Sequence, residues 1–384
     1  MSQRKIRAVY MRGGTSRCLV FREEDLPHAG AARDRILLSA LGSPDPFGRQ
    51  LDGLGGGISS LSKACIVGAP THPDADVDYT FAQVDVKSPV VEYHGNCGNC
   101  SSAIGPFAID EGLVRADEGE TVVRVHNTNT RKLIVAHVPT RDGEALVEGD
   151  FELAGVAGRG ARIALDFIEP GGAGTGRLLP TGRARDVIAG VEASCVDATN
   201  PLVFVRARDV GLTAAETPQA VDANADVMAR LEKIRVEAAM RMGLPSSASA
   251  PKIAFVAPPA DYVALDGVRH AARDYDVLAR AISMGNCHRA FPLTSAMCLA
   301  VAARIEGTLV HECLTHVAGS RLGQATHEAS RAGGTRSNDV RLGHASGVLP
   351  LDAAVTSRDG APWAERVTVY RTARRLMEGF VRIP

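Results

Sequence analysis

The chain has 384 residues, of which 45% are hydrophobic, 23% charged and 4% aromatic, and its formal net charge is −1. This length predicts two domains, each able to bury a core, while the neutral charge and scarce aromatics exclude a basic, base-stacking nucleic-acid surface and a polybasic membrane footprint. No stretch approaches about 18 consecutive apolar residues and the N-terminus lacks a signal-peptide run, so we expect a cytoplasmic protein without a membrane span.

The loop that follows the first predicted strand (residues 7–11) contains two glycines and then two hydroxyl side chains. These are Gly13, Gly14, Thr15 and Ser16. N–H and O–H groups arranged in this way can cradle an anion, although the pattern is equally typical of a simple turn.

Lys63 stands between a glycine- and serine-rich loop, residues 49–62, and an apolar strand. A lysine at the start of a strand is usually a solvated edge residue. A lysine between such a loop and a buried strand is instead a candidate for a desolvated amine. Desolvation would lower its pKa and provide a base near neutral pH.

Residues 92–112 are the stretch around which the chain is organised. They open with glycine and asparagine, pass through small residues, become apolar and end at Gly112. The pattern predicts a loop that feeds a buried helix capped by asparagine or serine. We expect the positive end of that helix to lower the pKa of Cys97 and to attract a carboxylate.

The cysteines are dispersed rather than clustered as in a disulfide scaffold, which predicts reduced thiols; they stand at positions 18, 65, 97, 100, 195, 287, 298 and 313. Cys97 and Cys100 form a C-x-x-C, but one such pair is weak evidence for zinc. His311 and His316 are not spaced i, i+4, so a zincin interpretation fails. We therefore predict no metal and no other cofactor.

Residues 285–307 repeat the pattern of residues 92–112, with Thr294 and Ser295 at the helix start and Gly307 at its end. The repeat favours two pseudo-equivalent halves with facing helix N-termini, although any two buried helices can look alike. Turn residues near 197–201 place the boundary between domains 1–193 and 194–384, with the C-terminal segment free to pack back on the first. The clearest amphipathic helix is predicted over 221–243.

Several motifs occur together in a fixed order; they are Met11–Ser16, Gln50–Gly53, Ser62-Lys63, Asn96–Asn99, Gly105–Ile109 and Arg371–Gly379. Jointly, and over nearly the whole chain, they resemble the PrpF-like isomerases, whose fold is similar to that of diaminopimelate epimerase. Segments 71–84 and 126–130 look most like the methylitaconate Δ-isomerase members. The chain departs from the family pattern at Arg17-Cys18, at Cys100 and at His344–Gly347.

The resemblance implies an α/β (α+β) protein of two diaminopimelate epimerase-like domains, each a mostly antiparallel sheet curled around a central helix, with the active site between them. It implies that Lys63 and Cys97 are the catalytic pair. The substrate-binding residues that we predict are Thr15, Ser16, Asn96, Gly98, Asn99, Ser101, His288, Thr294 and Ser295.

The function predicted from these residues is a cofactor-independent shift of a C=C bond, by 1,3-allylic proton transfer, in a small unsaturated di- or tricarboxylic acid. Lys63 would be the base and Cys97 the proton donor, or the reverse. The protein is also a possible homo-oligomer. The alternatives are isomerisation of 2-methylaconitate, tautomerisation of 4-oxalomesaconate, a non-catalytic accessory role beside an aconitase-like partner, and a two-thiol racemase that uses Cys97 with Cys100 or Cys287.

Overall fold

The computed structural model describes residues 3–93, 96–245, 250–315 and 339–384. Its helices are α1 Ala31–Leu41, α2 Gly98–Asp110, α3 Pro218–Asp222, α4 Ala225–Arg241, α5 Leu293–Ala302 and α6 Leu309–Thr315. Within these described ranges, no helix has the length and apolar character that a membrane crossing needs.

The strands are β1 Arg4–Gly13, β2 Ser16–Arg22, β3 Lys63–Gly68, β4 Val77–Val84, β5 Val91–Glu92, β6 Gly119–Asn127, β7 Lys132–Arg141, β8 Glu144–Ala145, β9 Phe151–Glu152, β10 Arg159–Gly160, β11 Ile163–Ile168, β12 Asp186–Ile188, β13 Val191–Ala198, β14 Asn200–Arg206, β15 Lys252–Ala257, β16 Tyr262–Val263, β17 Arg269–His270, β18 Val277–Ser283, β19 Asn286–Cys287, β20 Val340–His344, β21 Gly347–Arg358, β22 Ala361–Arg371 and β23 Ala373–Ile383.

Contacts divide the chain into two compact units: unit 1 is Met1–Phe167 with Tyr370–Pro384, and unit 2 is Ile168–Val369. The division therefore falls after Phe167 and not after residue 193. The turn residues that suggested the later boundary join β13 to β14, which pair as one antiparallel hairpin. At the other end of the chain, β23 pairs along its length with β1 and belongs to unit 1.

In unit 1 the paired strands run in the order β23–β1–β2–β3–β4–β6–β7–β11. Helix α2 contacts β23, β1, β2, β3, β4, β6 and β7, which requires the sheet to curl around it. All residues of α2 up to Ile109 are buried except Asn99. Small and apolar side chains all around a helix are typical of such a central position, so the predicted buried helix is confirmed.

In unit 2 the paired strands run in the order β12–β13–β14–β15–β18–β20–β21–β22. The predicted second small-residue helix is confirmed as α5, which is buried from Ser295 to Ala302 and contacts β13, β14 and β21. The predicted amphipathic helix is α4, whose apolar face joins the core of this unit.

The strands of the two units share one pattern of directions. Read in the orders above, the pairs of each unit are antiparallel, antiparallel, parallel, antiparallel, parallel, antiparallel and antiparallel. In each unit a two-residue strand, β5 or β19, pairs with the strand before it and leads to the buried helix. The two units are thus built in the same order from the same parts.

Candidate active site

Cys97 is the N-cap residue of α2. The backbone N–H of Cys100 donates to Cys97 Sγ at 3.4 Å, and the N–H of Ser101 donates to the carbonyl of Cys97 at 2.9 Å. The predicted asparagine or serine cap is therefore wrong, because the thiol itself takes that place. The cap fixes the sulfur at the positive end of a buried helix.

The surroundings raise the pKa of Cys97 well above that of an ordinary thiol, and the largest cause is the hydrogen bond with the Cys100 side chain, followed by burial. The charge of Lys63 and the Cys100 N–H act in the opposite direction but more weakly. The expectation that the helix N-terminus would lower this pKa is wrong, because a second thiol and desolvation outweigh the helix dipole. The raised pKa favours the protonated thiol of Cys97 over its thiolate.

Lys63 opens β3 and is only 8% exposed, so the solvated-edge interpretation is wrong. Its Nζ donates to Gln83 Oε1 at 2.5 Å and lies 5.0 Å from the centre of the Phe81 ring. An amide oxygen and an aromatic face both stabilise an ammonium group. Strand β3, which Lys63 opens, contacts helix α2, which Cys97 caps, and the charge of Lys63 acts on the pKa of Cys97, so the two predicted catalytic residues lie in the same region of unit 1.

The loop before Lys63 is held by the side chain of Gln50. Its Nε2 donates to Ser43 Oγ at 2.8 Å and to Ser62 Oγ at 2.7 Å, and its Oε1 accepts from the backbone N–H of Gly57 at 3.0 Å. The Ser62 hydroxyl in turn donates to the carbonyl of Val84 at 2.8 Å. These hydrogen bonds hold the end of the loop in one position, and with it the start of β3 at Lys63.

The turn after β1 packs directly on the first turn of α2. A Cβ atom on Gly13 would lie 2.5 Å from the carbonyl oxygen of Asn99, and one on Gly14, where φ is +51°, would collide with the Asn99 side chain. Only glycine allows this approach. As a result Asn99 Nδ2 donates to Thr15 Oγ1 at 3.0 Å, and Thr15 itself is exposed.

The other predicted residues of unit 1 lie around this contact. Ser16, the first residue of β2, is 3% exposed, and Gly98 is the buried first residue of α2. Asn96 is partly exposed, and its Oδ1 lies 3.2 Å from Ser101 Oγ. Ser101 Oγ also lies 3.0 Å from the carbonyl of Cys97 and is buried, so this hydroxyl fixes the Cys97 loop.

Two of the predicted residues of unit 2, Thr294 and Ser295, lie at the start of α5, and the third, His288, follows β19. Thr294 and Ser295 belong to the first turn of α5, whose N-cap, Pro292, makes no side-chain hydrogen bond. The Ser295 hydroxyl is buried and has no hydrogen-bond partner among the described residues. His288 is half-buried, and its pKa is lowered by desolvation and, to a lesser degree, by the charge of Lys252.

One group of side chains in the described part of the chain has donor atoms close enough for a shared metal ion. The sulfur atoms of Cys18, Cys65 and Cys100 lie within 4.8 Å of one another, and all three residues are buried. Cys97 is not in this set, so the structure does not present the C-x-x-C as a ligand pair. His316, of the rejected zincin pattern, lies outside the described residues.

A cavity of about 800 Å³ in unit 1 is separate from these residues. It is lined by side chains of α1, of residues 42–52 and of the C-terminus, among them the exposed Phe47 and Leu51. None of the predicted site residues lines it. The candidate site is therefore defined by the start of α2 and not by this cavity.

Two further residues of unit 1 belong to the site and were missed from the sequence. Arg371 Nε donates to Asn99 Oδ1 at 3.0 Å, and burial lowers the pKa of this arginine to about 10. Gln83 holds Lys63 while its Nε2 donates to the carbonyl of Ser62 at 2.9 Å. Both residues lie within motifs that carry the family resemblance, but neither has a local pattern that indicates its role.

Comparison with known proteins gives one consistent result. The model of the PrpF protein family matches residues 3–384. A 3-methylitaconate isomerase of Eubacterium barkeri is 41% identical over 99% of this chain and 98% of its own. A 2-methyl-aconitate isomerase of Cupriavidus necator is 41% identical over 100% of this chain and 98% of its own length. A 4-oxalomesaconate tautomerase of Pseudomonas putida is 37% identical over 100% of this chain and 97% of its own length.

Among solved structures, a crystal structure of methylitaconate-delta-isomerase superimposes with a TM-score of 0.87 at 41% identity, covering 100% of this chain and 96% of that one. The mixed α/β fold of the two chains is the same. Together with the family match and the full-length relatives, this shows that the chain belongs to the PrpF family of isomerases.

Proposed function

We propose that this protein is a cofactor-independent isomerase that shifts a C=C bond by 1,3-allylic proton transfer in a small unsaturated di- or tricarboxylic acid. Methylitaconate is the first candidate substrate. The relatives named for methylitaconate and 2-methylaconitate act, by those names, on such acids. The observation that carries the proposal is the pairing, within unit 1, of the amine of Lys63 with a thiol whose pKa is raised.

In the proposed reaction the ammonium of Lys63 first releases a proton, and the free amine then takes a proton from the allylic carbon. The electron pair of that C–H bond moves into the allyl system, and negative charge accumulates on the conjugated carboxylate. The thiol of Cys97 then donates its proton to the far carbon, which completes the double-bond shift. A proton returns from the ammonium of Lys63 to the thiolate of Cys97, so that the enzyme is unchanged.

The raised pKa of Cys97 suits this assignment of roles. A thiol that stays protonated near neutral pH is a proton donor at the start of the reaction, whereas a thiolate would be a base. The thiolate formed after transfer lies at the N-cap of α2, beside the ammonium of Lys63, and both favour the negative charge. In the reverse direction the same two groups exchange roles.

The carboxylates of the substrate need donors, and the start of α2 offers them. Asn99 and Thr15 are joined side chains at the first turn of this helix, and Ser16 follows Thr15. Free N–H groups and the positive end of a helix are a ready anion site. Because Ser101 and Asn96 hold the Cys97 loop, we assign them to positioning of the thiol and not to direct contact with substrate.

The repeated pairing order supports the finer proposal that the two units are pseudo-equivalent domains of the diaminopimelate epimerase type. A two-thiol racemase would need a second thiol that reaches the substrate from the face opposite Cys97, and Cys100, which is hydrogen-bonded to Cys97, is fully buried. Cys100 is buried among other thiols, and Cys287 is buried in unit 2 beside β18. One amine and one thiol therefore fit the site better than two thiols, and the isomerase and tautomerase relatives disfavour an accessory role.

The test is incubation with methylitaconate, itaconate, cis- and trans-aconitate, 2-methylaconitate and 4-oxalomesaconate in D2O, followed by NMR. We expect one of these acids to show a moved double bond with deuterium at the newly protonated carbon. Deuterium exchange without a moved double bond would identify a racemase. No exchange in any acid, with the protein shown to be folded, would refute the proposal.

A further inference from the structure

Cys97 and Cys100 are the N-cap residue and the third residue of α2, and both are free thiols. The backbone N–H of Cys100 donates to Cys97 Sγ at 3.4 Å, and a hydrogen bond joins the two thiol groups. Residues three apart in a helix have Cα atoms about 5 Å apart, inside the range of about 4.4–6.8 Å that a disulfide spans. A disulfide between these two residues therefore needs little movement of the backbone.

The thiols of this region differ in their access to solvent. Cys18, Cys65 and Cys100 are fully buried, with their sulfur atoms within 4.8 Å of one another, whereas Cys97 is partly exposed. A small oxidant that enters from solvent therefore meets Cys97 first. Cys100, the buried thiol that is hydrogen-bonded to Cys97, is in place to react with it next.

The proposed reaction uses the thiol of Cys97 and leaves Cys100 without a chemical role. A sulfenic acid that forms beside a second thiol condenses with it to a disulfide, and cysteines that respond to oxidants are accessible and lie next to such a resolving thiol. Cys97 and Cys100 meet both conditions. The raised pKa of Cys97 acts in the opposite direction, because only the thiolate reacts, so oxidation is slow near neutral pH but is not prevented.

We propose that Cys97 and Cys100 form a reversible disulfide when the protein meets a peroxide, with Cys97 as the oxidised thiol and Cys100 as the resolving thiol. In the first step the sulfur of Cys97 attacks one peroxide oxygen, the O–O bond breaks, and a sulfenic acid and water are formed. In the second step the sulfur of Cys100 attacks the sulfenic sulfur, the S–O bond breaks, and hydroxide leaves as water with the proton of Cys100. The two thiols lose two electrons in total, and hydrogen peroxide is reduced to two molecules of water.

The disulfide has a consequence for the reaction. It removes the proton that Cys97 donates in the proposed mechanism, so turnover should stop until a dithiol reduces the bond. This consequence rests on the proposed function, whereas the disulfide itself does not. Without Cys100, the sulfenic acid of Cys97 would be oxidised further to a sulfinic acid, which dithiols do not reduce. The resolving thiol therefore protects the proposed catalytic thiol from irreversible oxidation.

The first experiment maps the disulfide in the wild type. Trypsin cleaves after lysine and arginine, so Cys97 and Cys100 share the peptide 88–115, whereas Cys18 lies in peptide 18–22 and Cys65 in peptide 64–87. The protein is treated with hydrogen peroxide at about pH 8.5, where more of the thiol is ionised than at neutral pH. The remaining thiols are then alkylated, and the protein is digested without reductant.

Mass spectrometry should find peptide 88–115 unalkylated and lighter by two hydrogen atoms than its reduced form. A peptide 88–115 cross-linked to peptide 18–22 or 64–87 would show a different pairing and overturns the proposal. So does a peptide 88–115 that is alkylated at both thiols, or one that has gained oxygen in place of the disulfide.

Cys100→Ser tests the order of the two steps. The sulfenic acid of Cys97 has no resolving thiol in this variant, so dimedone should trap it on peptide 88–115. Cys65→Ser, from the same group of buried thiols, is the matched control and should form the disulfide as the wild type does. A dimedone label on peptide 18–22 or 64–87 instead, or a folded Cys65→Ser variant without the disulfide, overturns the proposal. If Cys100→Ser does not fold, the peptide map of the wild type decides alone.

Turnover separates this proposal from the proposed function. Oxidised wild type should lose at least about tenfold in turnover and regain most of it with dithiothreitol, whereas oxidised Cys100→Ser should regain less than about one-tenth. An oxidised wild type that contains the disulfide and keeps its turnover supports the disulfide and removes Cys97 from the proposed mechanism. A wild type that turns over no acid of the panel refutes the proposed function, and the peptide map still decides whether the disulfide forms.

Discussion

Arg371 Nε donates to Asn99 Oδ1 at 3.0 Å, which joins two residues 272 positions apart. The same amide side chain donates from Nδ2 to Thr15 Oγ1, so Asn99 links the turn after β1 to the segment before β23. The guanidinium also donates to the carbonyl of Tyr370 and is 5% exposed. The first turn of α2, which holds the proposed catalytic thiol, is therefore fixed from the far end of the chain.

Replacing Arg371 with lysine should affect both the fold and the reaction. A lysine keeps the charge but cannot reproduce the hydrogen bonds of a buried guanidinium, which predicts a loss of about 1.5–3 kcal/mol in the free energy of unfolding and of about tenfold in kcat/KM. Arg374→Lys, at an exposed position nearby, should change neither. Chemical denaturation and turnover of the two variants check this, and an Arg371→Lys enzyme equal to Arg374→Lys would contradict it.

Lys63→Arg should lose most turnover, at least about 100-fold, because a guanidinium stays protonated and cannot accept the allylic proton. Lys87→Arg is the matched control, since Lys87 is exposed in the same unit. Turnover should be compared with the binding of methylsuccinate, a saturated dicarboxylate that has no allylic proton to transfer, because this comparison tests whether the larger side chain has simply blocked the site. Near-normal turnover of Lys63→Arg would remove this residue from the mechanism.

Cys97→Ser and Cys100→Ser should separate chemistry from packing. A serine at 97 keeps the size but is a far weaker acid, so we expect a loss of about 100-fold or more in turnover with an unchanged melting temperature. Cys100 is buried with Cys18 and Cys65, so Cys100→Ser should cost about 1 kcal/mol of stability and leave turnover within a few fold. If Cys100→Ser were inactive and folded while Cys97→Ser remained active, the assignment of the thiol would be wrong.

The raised pKa of Cys97 predicts how the thiol reacts with iodoacetamide. Because only the thiolate is alkylated, the rate should rise about tenfold per pH unit between about pH 6.5 and 8.5, with no plateau. Lys63→Met removes the positive charge that opposes the upward shift, so its alkylation should be slower at every pH, whereas Lys87→Met should match the wild type. Mass spectrometry of the peptide containing residue 97 measures the rate, and a plateau near neutral pH would contradict the shift.

The central helix was predictable from the sequence because its signal is local. Small and apolar residues in one unbroken run predict a helix buried on all sides, and residues 98–110 form it. The burial of Lys63 was one of two interpretations, and nothing near it in the chain decided between them. The decision comes from Gln83 and Phe81, which β4 brings to the lysine by pairing with β3.

Other predictions from the sequence were wrong for the same reason, because they depended on contacts that the local sequence does not show. The pKa of Cys97 was expected to fall because the helix N-terminus is visible in the sequence, but the hydrogen bond with the Cys100 side chain and desolvation dominate. The domain boundary was placed at turn residues that belong to one hairpin.

The pairing of β1 with β23 determines when unit 1 can be completed during synthesis. Residues 4–13 are translated before unit 2, yet their neighbour in the sheet, residues 373–383, is translated only after all of unit 2. Until then one side of β1 has no strand to pair with, and an unpaired edge is a hazard for aggregation. Unit 2 is continuous in the chain, so a released chain that ends near residue 369 should contain a complete second unit and an unpaired β1 in the first.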